Sequence, residues 1–293
     1  MTPSGEHRGK AWEPVQGDIF SGETYYRQRL PDSGKTPENF TVRVGDQWAA
    51  TLMTREYARI RMADEMQEEF PPLIARIIPY RLVWKVLLGA SETYLGGILH
   101  ESFHAFQGQE AYDRFAAAEN IHSWEEDYPW SDQVFRQEWQ EELDLLAEAV
   151  SAASVEESRG LAREFLDQRD QRRDDFDLSP QLMGYERNLE WLEGLAKYVE
   201  LEIQRTAGAA PGYQPMPEIR EDPNFSNYET RERYWNQQVK EIQRTAGREG
   251  DSRFYYTGFA QAVLLDRLRP DWKEHIWQEG IWLEDLLRSA VKE

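Results

Sequence analysis

The alternation of apolar and polar positions predicts a small β element near the N-terminus and helices over most of the remaining chain. The stretch TVRVGDQWAATL, residues 41–52, alternates on either side of Gly45 and Asp46, which is typical of a short β-hairpin. From Thr54 onward the apolar residues recur mostly with a helical period. The pattern therefore predicts a mainly α (α+β) fold.

Helix-capping residues and segments rich in proline and glycine indicate where the helices begin and end. Residues 1–40 are rich in Pro, Gly, Ser and charge, which predicts an extended N-terminal arm, wrapped on the surface or partly disordered, ahead of one domain over residues 41–293. Ser131 and Ser154 are typical helix N-caps. The predicted helices cover residues 93–107, 131–153, 154–175, 180–207, 228–246, 253–268 and 271–290, with a proline-rich loop at 208–225.

Composition narrows the classes of partner. The formal net charge is −20, and an acidic surface repels nucleic acid and anionic lipid. Such a charge indicates solubility or a salty habitat, and the alternative is a preference for cationic substrates. The most apolar run, residues 77–99, contains Arg81, Lys85 and Glu92, so no membrane span is predicted. The polar opening MTPSGEHRGKAWEP lacks the apolar core of a signal peptide. This predicts a cytoplasmic protein or the mature part of a secreted or periplasmic one, with no signal for an oligomeric state.

The sharpest chemical signal is the H-E-x-x-H pattern formed by His100, Glu101 and His104. On a helix, residues four apart share one face, so both imidazoles can bind one ion while Glu101 reaches a water beside it. The apolar residues Leu95, Ile98, Leu99, Phe103 and Phe106 predict that this helix is buried, where its three polar residues need partners. The alternative is a core helix with two partly buried histidines. Since the chain has no cysteine, any metal must be held by His and carboxylate.

A catalytic zinc site usually takes a third protein ligand, and spacing alone leaves several candidates. Glu110 lies ten residues past His100, where one class of zinc peptidases carries its third ligand, but that geometry needs a glycine where this chain has Gln107. Glu125 and Glu126 lie close to the sequence spacing at which another class of zinc peptidases carries its third ligand. Glu193 lies much further along the chain.

Two further segments resemble gluzincins, the zinc metallopeptidases of the aminopeptidase N type. WLEGLAKYVE, residues 191–200, is similar to their W-L-x-E-G-x-A-x-Y-x-E segment, although it lacks one residue before Glu193. The resemblance implies that Glu193 is the third ligand of one Zn²⁺ ion. YYTGFAQAVLLDRL, residues 255–268, is similar to their Y-x-x-G-x-A segment, which implies that Tyr255 stabilises the reaction intermediate, with Tyr256 as the alternative registration.

The same resemblance implies a zincin-like, gluzincin-like catalytic domain with a helical insertion at about residues 109–180, because the motifs lie unusually far apart. It implies a zinc-dependent peptide hydrolase in which Glu101 is the general base acting on a metal-activated water, and in which Glu190 or Glu200 orients a ligand histidine. The G-x-M-E-N segment that binds a substrate's free amine is missing. The alternatives are a non-catalytic binding or scaffold protein with a zincin fold, and a zinc hydrolase of a non-peptide amide or ester.

Overall fold

The computed structural model describes residues 12–20, 23–28, 40–44, 47–55, 57–58 and 90–292, and this part of the chain is mainly helical, as the sequence predicted. None of the helices in it combines the length and the apolar character needed to cross a membrane. The helices, numbered in chain order, are α1 (Ser91–Glu110), α2 (Tyr112–Glu119), α3 (Gln133–Ser151), α4 (Val155–Asp175), α5 (Pro180–Leu189), α6 (Leu195–Ala209), α7 (Pro217–Arg220), α8 (Arg231–Ile242), α9 (Ser252–Leu268) and α10 (Leu283–Ala290).

Two antiparallel hairpins precede the helices. The second, β3 (Phe40–Val44) with β4 (Gln47–Thr51), pairs Val44 with Gln47 and confirms the hairpin predicted at 41–52. The first, β1 (Trp12–Phe20) with β2 (Glu23–Gln28), lies in the stretch for which the sequence predicted an extended arm. The rest of that arm, and the predicted helical pattern over 59–89, lie outside the described residues.

Several predicted helix boundaries were wrong. Asp132, rather than Ser131, caps α3, because its carboxylate accepts hydrogen bonds from the backbone N–H groups of Val134 and Phe135. Ser154 does cap α4 as predicted. The predicted single helix over 271–290 is a 3₁₀ turn at Pro270–Glu274 followed by α10, and between the two Gly280 has a φ of +75°.

The predicted long helix from Pro180 to Ala207 is interrupted by one π turn, Glu190–Gly194, between α5 and α6. A π turn inserts an extra residue into a helix, which changes the face on which the following side chains project. The sequence pattern was interpreted as one continuous helix, because the residues on both sides of the π turn are helical and the insertion is only one residue long.

The buried residues of helix α1 are mostly not the apolar ones from which its burial was predicted. Its buried residues include Gly96, His100, His104 and Gln107, whereas the side chain of Phe106 is 43% exposed. The reason is that α1 packs against α6 through its polar and small residues. The buried face of α1 is therefore its histidine face.

The π turn crosses α9 at a contact between two glycines. A Cβ on Gly258 would lie 2.3 Å from the carbonyl oxygen of Glu190, and one on Gly194 would lie 2.4 Å from the Cα of Gly258. Real Cβ atoms do not approach backbone this closely, so both positions require glycine. This contact sets how near the residues of the π turn come to those at the start of α9.

Replacing Gly258 by Ala is expected to lower the free energy of unfolding by about 1–3 kcal/mol, because backbone atoms on both sides must move. The matched control is Gly160→Ala in α4, where a Cβ meets nothing within 4 Å. That substitution should be stabilising by about 0.5–1 kcal/mol, since alanine is the better helix former. Urea unfolding measures both, and equal effects of the two substitutions would refute the close crossing.

A network of seven charged side chains crosses the helical core and includes the first residue of the π turn. Its members are Arg169, Arg172 and Arg173 of α4, Glu142 of α3, Glu186 of α5, Glu190 of the π turn and Glu284 of α10, each at most 4% exposed. Buried charges are tolerated when they are paired and fully hydrogen-bonded. Burial alone would raise the pKa of Glu186 and of Glu284, but the guanidinium groups hold both pKa values well below their usual range.

Candidate metal centre

Two imidazole nitrogens and one carboxylate oxygen converge between α1 and the π turn. The Nε2 atom of His100 lies 3.1 Å from Oε2 of Glu193, and the Nε2 atom of His104 lies 3.5 Å from the same oxygen. One potential ligand atom from each of the three residues lies within 4.8 Å of the other two. Two histidines and one glutamate are a typical ligand set for a catalytic zinc ion.

The structure also shows where the other three candidates for the third ligand lie. Glu110 is exposed at the C-terminal end of α1, and Glu125 and Glu126 follow the 3₁₀ turn Ile121–Trp124. None of these three belongs to a group of potential ligands with the histidines among the described residues, whereas Glu193 does.

Gln107 orients the ring of His104. Its buried amide nitrogen donates to the backbone carbonyls of Trp191, at 2.8 Å, and Leu192, at 3.1 Å. Its amide oxygen therefore faces the Nδ1 atom of His104 at 2.8 Å and accepts a hydrogen bond from that N–H group. In neutral His104 the lone pair is then on Nε2, the nitrogen that points to Glu193.

Glu200, rather than Glu190, is the carboxylate beside His100. Its Oε2 atom lies 3.7 Å from Nδ1 of His100, and the Nζ atom of Lys197 donates to its Oε1 atom at 2.9 Å. A carboxylate behind Nδ1 favours the tautomer whose Nε2 is free to bind a metal. Glu190 is bound instead by Arg169 in the buried network, with an Nη2–Oε1 distance of 2.6 Å.

The electrostatics of the site follow from its burial and its mixed charges. Burial lowers the pKa of His100, but the carboxylates of Glu193 and Glu200 outweigh that effect and raise it to about 9. Burial raises the pKa of Glu193, but hydrogen bonds from the Nε2–H groups that His100 and His104 carry when protonated hold it well below its usual range. The carboxylate of Glu193 is thus kept ionised, which is the form that binds a cation.

Glu101 lies on the same helix, beside the two histidines, and is partly exposed. Burial raises its pKa, an effect that the charges on His104 and His100 oppose and the charge on Glu193 reinforces. Its backbone carbonyl accepts a hydrogen bond from the hydroxyl of Thr41 in β3 at 3.4 Å. The hairpin β3–β4 therefore packs along the helix that carries the histidines.

The structure distinguishes the two tyrosines at the start of α9. The ring of Tyr255 stacks on the ring of His100, with centroids 5.5 Å apart and planes 7° apart. Burial, together with the charge on Glu193 and a hydrogen bond to it, raises the pKa of Tyr255 well above its usual range. Tyr256 donates its hydroxyl hydrogen to Gln238 at 3.0 Å, away from the histidines.

Two residues of this centre escaped the sequence interpretation. Gln107 was considered only because one class of zinc peptidases has a glycine at that position. Its place three residues after His104 on one helix face could have suggested a hydrogen-bond partner for His104. Gly194 follows Glu193 directly, and its importance depends on the crossing with Gly258, which no local pattern indicates.

Comparison with known proteins found that no protein-family model, no curated protein and no solved structure matches this chain. What the centre can do chemically therefore follows from its own side chains and their geometry.

Proposed function

We propose that this protein is a zinc-dependent peptide hydrolase with a gluzincin-like site. The observation that carries the proposal is the convergence of His100, His104 and Glu193, because three ligand atoms of the right types lie within 4.8 Å of one another. The tautomers favoured by Gln107 and Glu200 support it, since both leave Nε2 free for a metal.

His100, His104 and Glu193 would hold one Zn²⁺ ion. Such an ion acts as a Lewis acid that lowers the pKa of a bound water toward about 7 and polarises a carbonyl. Glu101 accepts a proton from the attacking water and delivers it to the leaving amine. Burial raises the pKa of Glu101, which brings this base nearer to the range useful for proton transfer.

Tyr255 would stabilise the negative charge that develops on the carbonyl oxygen. Because the pKa of its hydroxyl is well above its usual range, the group remains a hydrogen-bond donor at neutral pH. Its ring is held beside the site by stacking on His100. The resemblance of residues 191–200 and 255–268 to gluzincin segments supports the same assignment, and it supports a zincin-like arrangement of the mainly helical domain.

The test is zinc binding followed by peptide cleavage. The purified protein, reconstituted with zinc and dialysed, should contain about one equivalent of zinc by mass spectrometry of the metal. Glu193→Gln should weaken zinc binding by more than about 100-fold, because loss of an outer-shell partner alone costs about 10–100-fold. Glu126→Gln is the matched control and should leave zinc affinity unchanged.

The zinc-loaded protein should then cleave a diverse peptide library, and a chelator should stop the reaction. Absence of stoichiometric zinc after reconstitution would exclude the proposed metal centre. Bound zinc without cleavage of any peptide would exclude the peptidase and favour a binding protein that uses the same centre.

A further inference from the structure

His100 lies between two carboxylates, one at each ring nitrogen. Oε2 of Glu193 lies 3.1 Å from its Nε2 atom, and Oε2 of Glu200 lies 3.7 Å from its Nδ1 atom. A histidine that binds a metal is neutral, so it does not offset the charge of Glu200. The side chain of Glu200 is only 12% exposed, and a buried carboxylate is tolerated when it is paired and hydrogen-bonded. Glu200 therefore needs donors other than His100.

Lys197 supplies the compensating charge from the same helix. Its Nζ atom lies 2.9 Å from Oε1 and 3.1 Å from Oε2 of Glu200. The side chain of Lys197 is itself only 12% exposed, which is unusual for lysine unless it is paired. The ring of Tyr256 lies beside the ammonium group, with its centroid 5.9 Å from Nζ, and Tyr256 in turn donates to Gln238. This ion pair is thus part of the packed interior rather than a solvated pair on the helix surface.

Tyr234 adds a second donor from a different helix, α8. Its hydroxyl donates to Oε1 of Glu200 at 3.3 Å. Burial raises the pKa of Tyr234, and the charge on Glu200 raises it further, so the hydroxyl remains a donor at neutral pH. Because Lys197 and Tyr234 both donate to Oε1, the carboxylate cannot rotate freely, and its Oε2 atom faces His100.

Gly96 provides the space that Glu200 occupies beside α1. A Cβ on Gly96 would lie 3.1 Å from Cγ of Glu200 and 2.7 Å from Nε2 of Gln204. Gly96 lies on the buried face of α1, one turn before His100. The adjacent Gly97 differs, since a Cβ there meets nothing within 4 Å in the described part of the chain. The close approach of Glu200 to α1 therefore depends on the first glycine of this pair and not on the second.

We propose that Lys197 and Tyr234 are positioning residues that act on the metal centre through Glu200. They hold its carboxylate toward Nδ1 of His100, so that Nε2 of the ring is directed at Glu193. The proposal rests on the metal centre of the function proposed above and specifies how one of its ligands is oriented. Neither residue touches the histidine, and partners of this kind are typically worth about 10–100-fold in metal affinity.

The first experiment uses the metal-free 293-residue chain. The ¹⁵N chemical shifts of the His100 ring, measured at one fixed pH, report what faces Nδ1. Tyr234→Phe and Lys197→Met should each move the Nδ1 resonance, because the carboxylate beside it loses a donor. The control is Tyr198→Phe, which removes a hydroxyl that donates at 2.7 Å to Asp266 instead. Unchanged His100 resonances in Tyr234→Phe and Lys197→Met would overturn the proposal.

The second experiment measures zinc affinity by competition with a chelator. Tyr234→Phe and Lys197→Met should each raise the dissociation constant about tenfold or more. Charge alone predicts the opposite for Lys197→Met, because removal of a positive charge near a bound cation tightens binding. A lower dissociation constant for that variant would therefore refute the positioning role. Arg205→Met is the control, since it removes the cation of a more exposed pair on the same helix.

Gly96→Ala tests the same arrangement without changing any charge. The added methyl group displaces the side chain of Glu200, so the zinc dissociation constant should rise about tenfold. Gly97→Ala makes the same change at the next position and should leave the constant unchanged. Equal zinc affinities of the two variants would contradict the dependence of the site on the placement of Glu200.

A double-mutant cycle separates an action through Glu200 from general support of the fold. In the Glu200→Gln background, Lys197→Met and Tyr234→Phe should have little further effect on zinc affinity, because the group that they position is already changed. Effects that add fully to that of Glu200→Gln would reject the proposal. Melting temperatures of all variants identify any loss that arises from unfolding.

The experiments also keep this proposal apart from the hydrolytic function. Altered His100 resonances in the variants, without zinc binding or peptide cleavage by the parent, would support the positioning role and reject the hydrolase. Zinc-dependent cleavage with unchanged resonances and unchanged zinc affinity in the variants would support the hydrolase and reject the positioning role.

Discussion

Replacing Glu101 by Gln is expected to leave zinc bound and to lower kcat for peptide hydrolysis by about 10²–10⁴-fold, the usual contribution of a general base. The amide has nearly the shape of the carboxylate but cannot accept a proton from the attacking water. The three proposed metal ligands, His100, His104 and Glu193, are untouched, so zinc content should equal that of the parent. Steady-state kinetics with the best library peptide, together with metal analysis of the same sample, measures both quantities.

Glu110→Gln is the matched control for this prediction. It makes the same chemical change on the same helix, but its side chain is exposed at the end of α1. It should alter neither zinc content nor kcat. A Glu101→Gln variant as active as the parent on a broad peptide library would show that Glu101 is not the base.

Replacing Arg169 by Leu is expected to lower the free energy of unfolding by about 3–5 kcal/mol, because breaking a buried ion pair leaves charges without compensation. Its guanidinium donates to Glu142 at 2.8 Å, to Glu190 at 2.6 Å and to Glu284 at 3.2 Å, and all four side chains are buried. Leucine fills part of the volume but neutralises none of the three carboxylates. Urea unfolding followed by circular dichroism measures the loss.

The exposed pair between Arg288 and Asp170 provides the control. It has two hydrogen bonds, at 2.5 and 2.8 Å, but the side chain of Asp170 is 50% exposed. Arg288→Leu should cost less than about 1 kcal/mol, because solvent screens such pairs. Equal losses for Arg169→Leu and Arg288→Leu would contradict the assignment of the buried network as a structural requirement.

The Arg169 variant should also bind zinc more weakly than the parent. Glu190 is the first residue of the π turn that carries Glu193, and Arg169 holds its carboxylate with two hydrogen bonds. A π turn that loses this anchor positions Glu193 less firmly toward the histidines. Zinc affinity measured under conditions where the variant remains folded tests this link.

The part of the site that sequence could predict is the part encoded in local spacing. His100 and His104 are four residues apart on one helix, and that periodicity alone places them on one face. Spacing from the histidines could not select Glu193 over Glu110, Glu125 and Glu126, because Glu193 reaches them from a π turn on a different helical segment. Glu193 was selected because residues 191–200 resemble a segment of the gluzincins.

Burial was predicted less well than helix content. The apolar residues of α1 predicted that the whole helix is buried, but Phe106 is exposed and the contact with α6 buries the histidine face. Arg169, Arg172 and Arg173 lie in a highly charged helix whose pattern resembles a solvated surface. Their burial depends on glutamates from four other elements, which only the tertiary structure brings together.

The arginines of α4 also determine how far the chain can be shortened. They lie within residues 109–180, the stretch interpreted as an insertion, whereas Glu186, Glu190 and Glu284 lie beyond it. A fragment that lacks residues 109–180 would retain these carboxylates in its interior and lose the guanidinium groups that balance them. The smallest unit able to bring His100, His104 and Glu193 together therefore extends from α1 through α10, and an expression fragment or a transplanted site must include all of it.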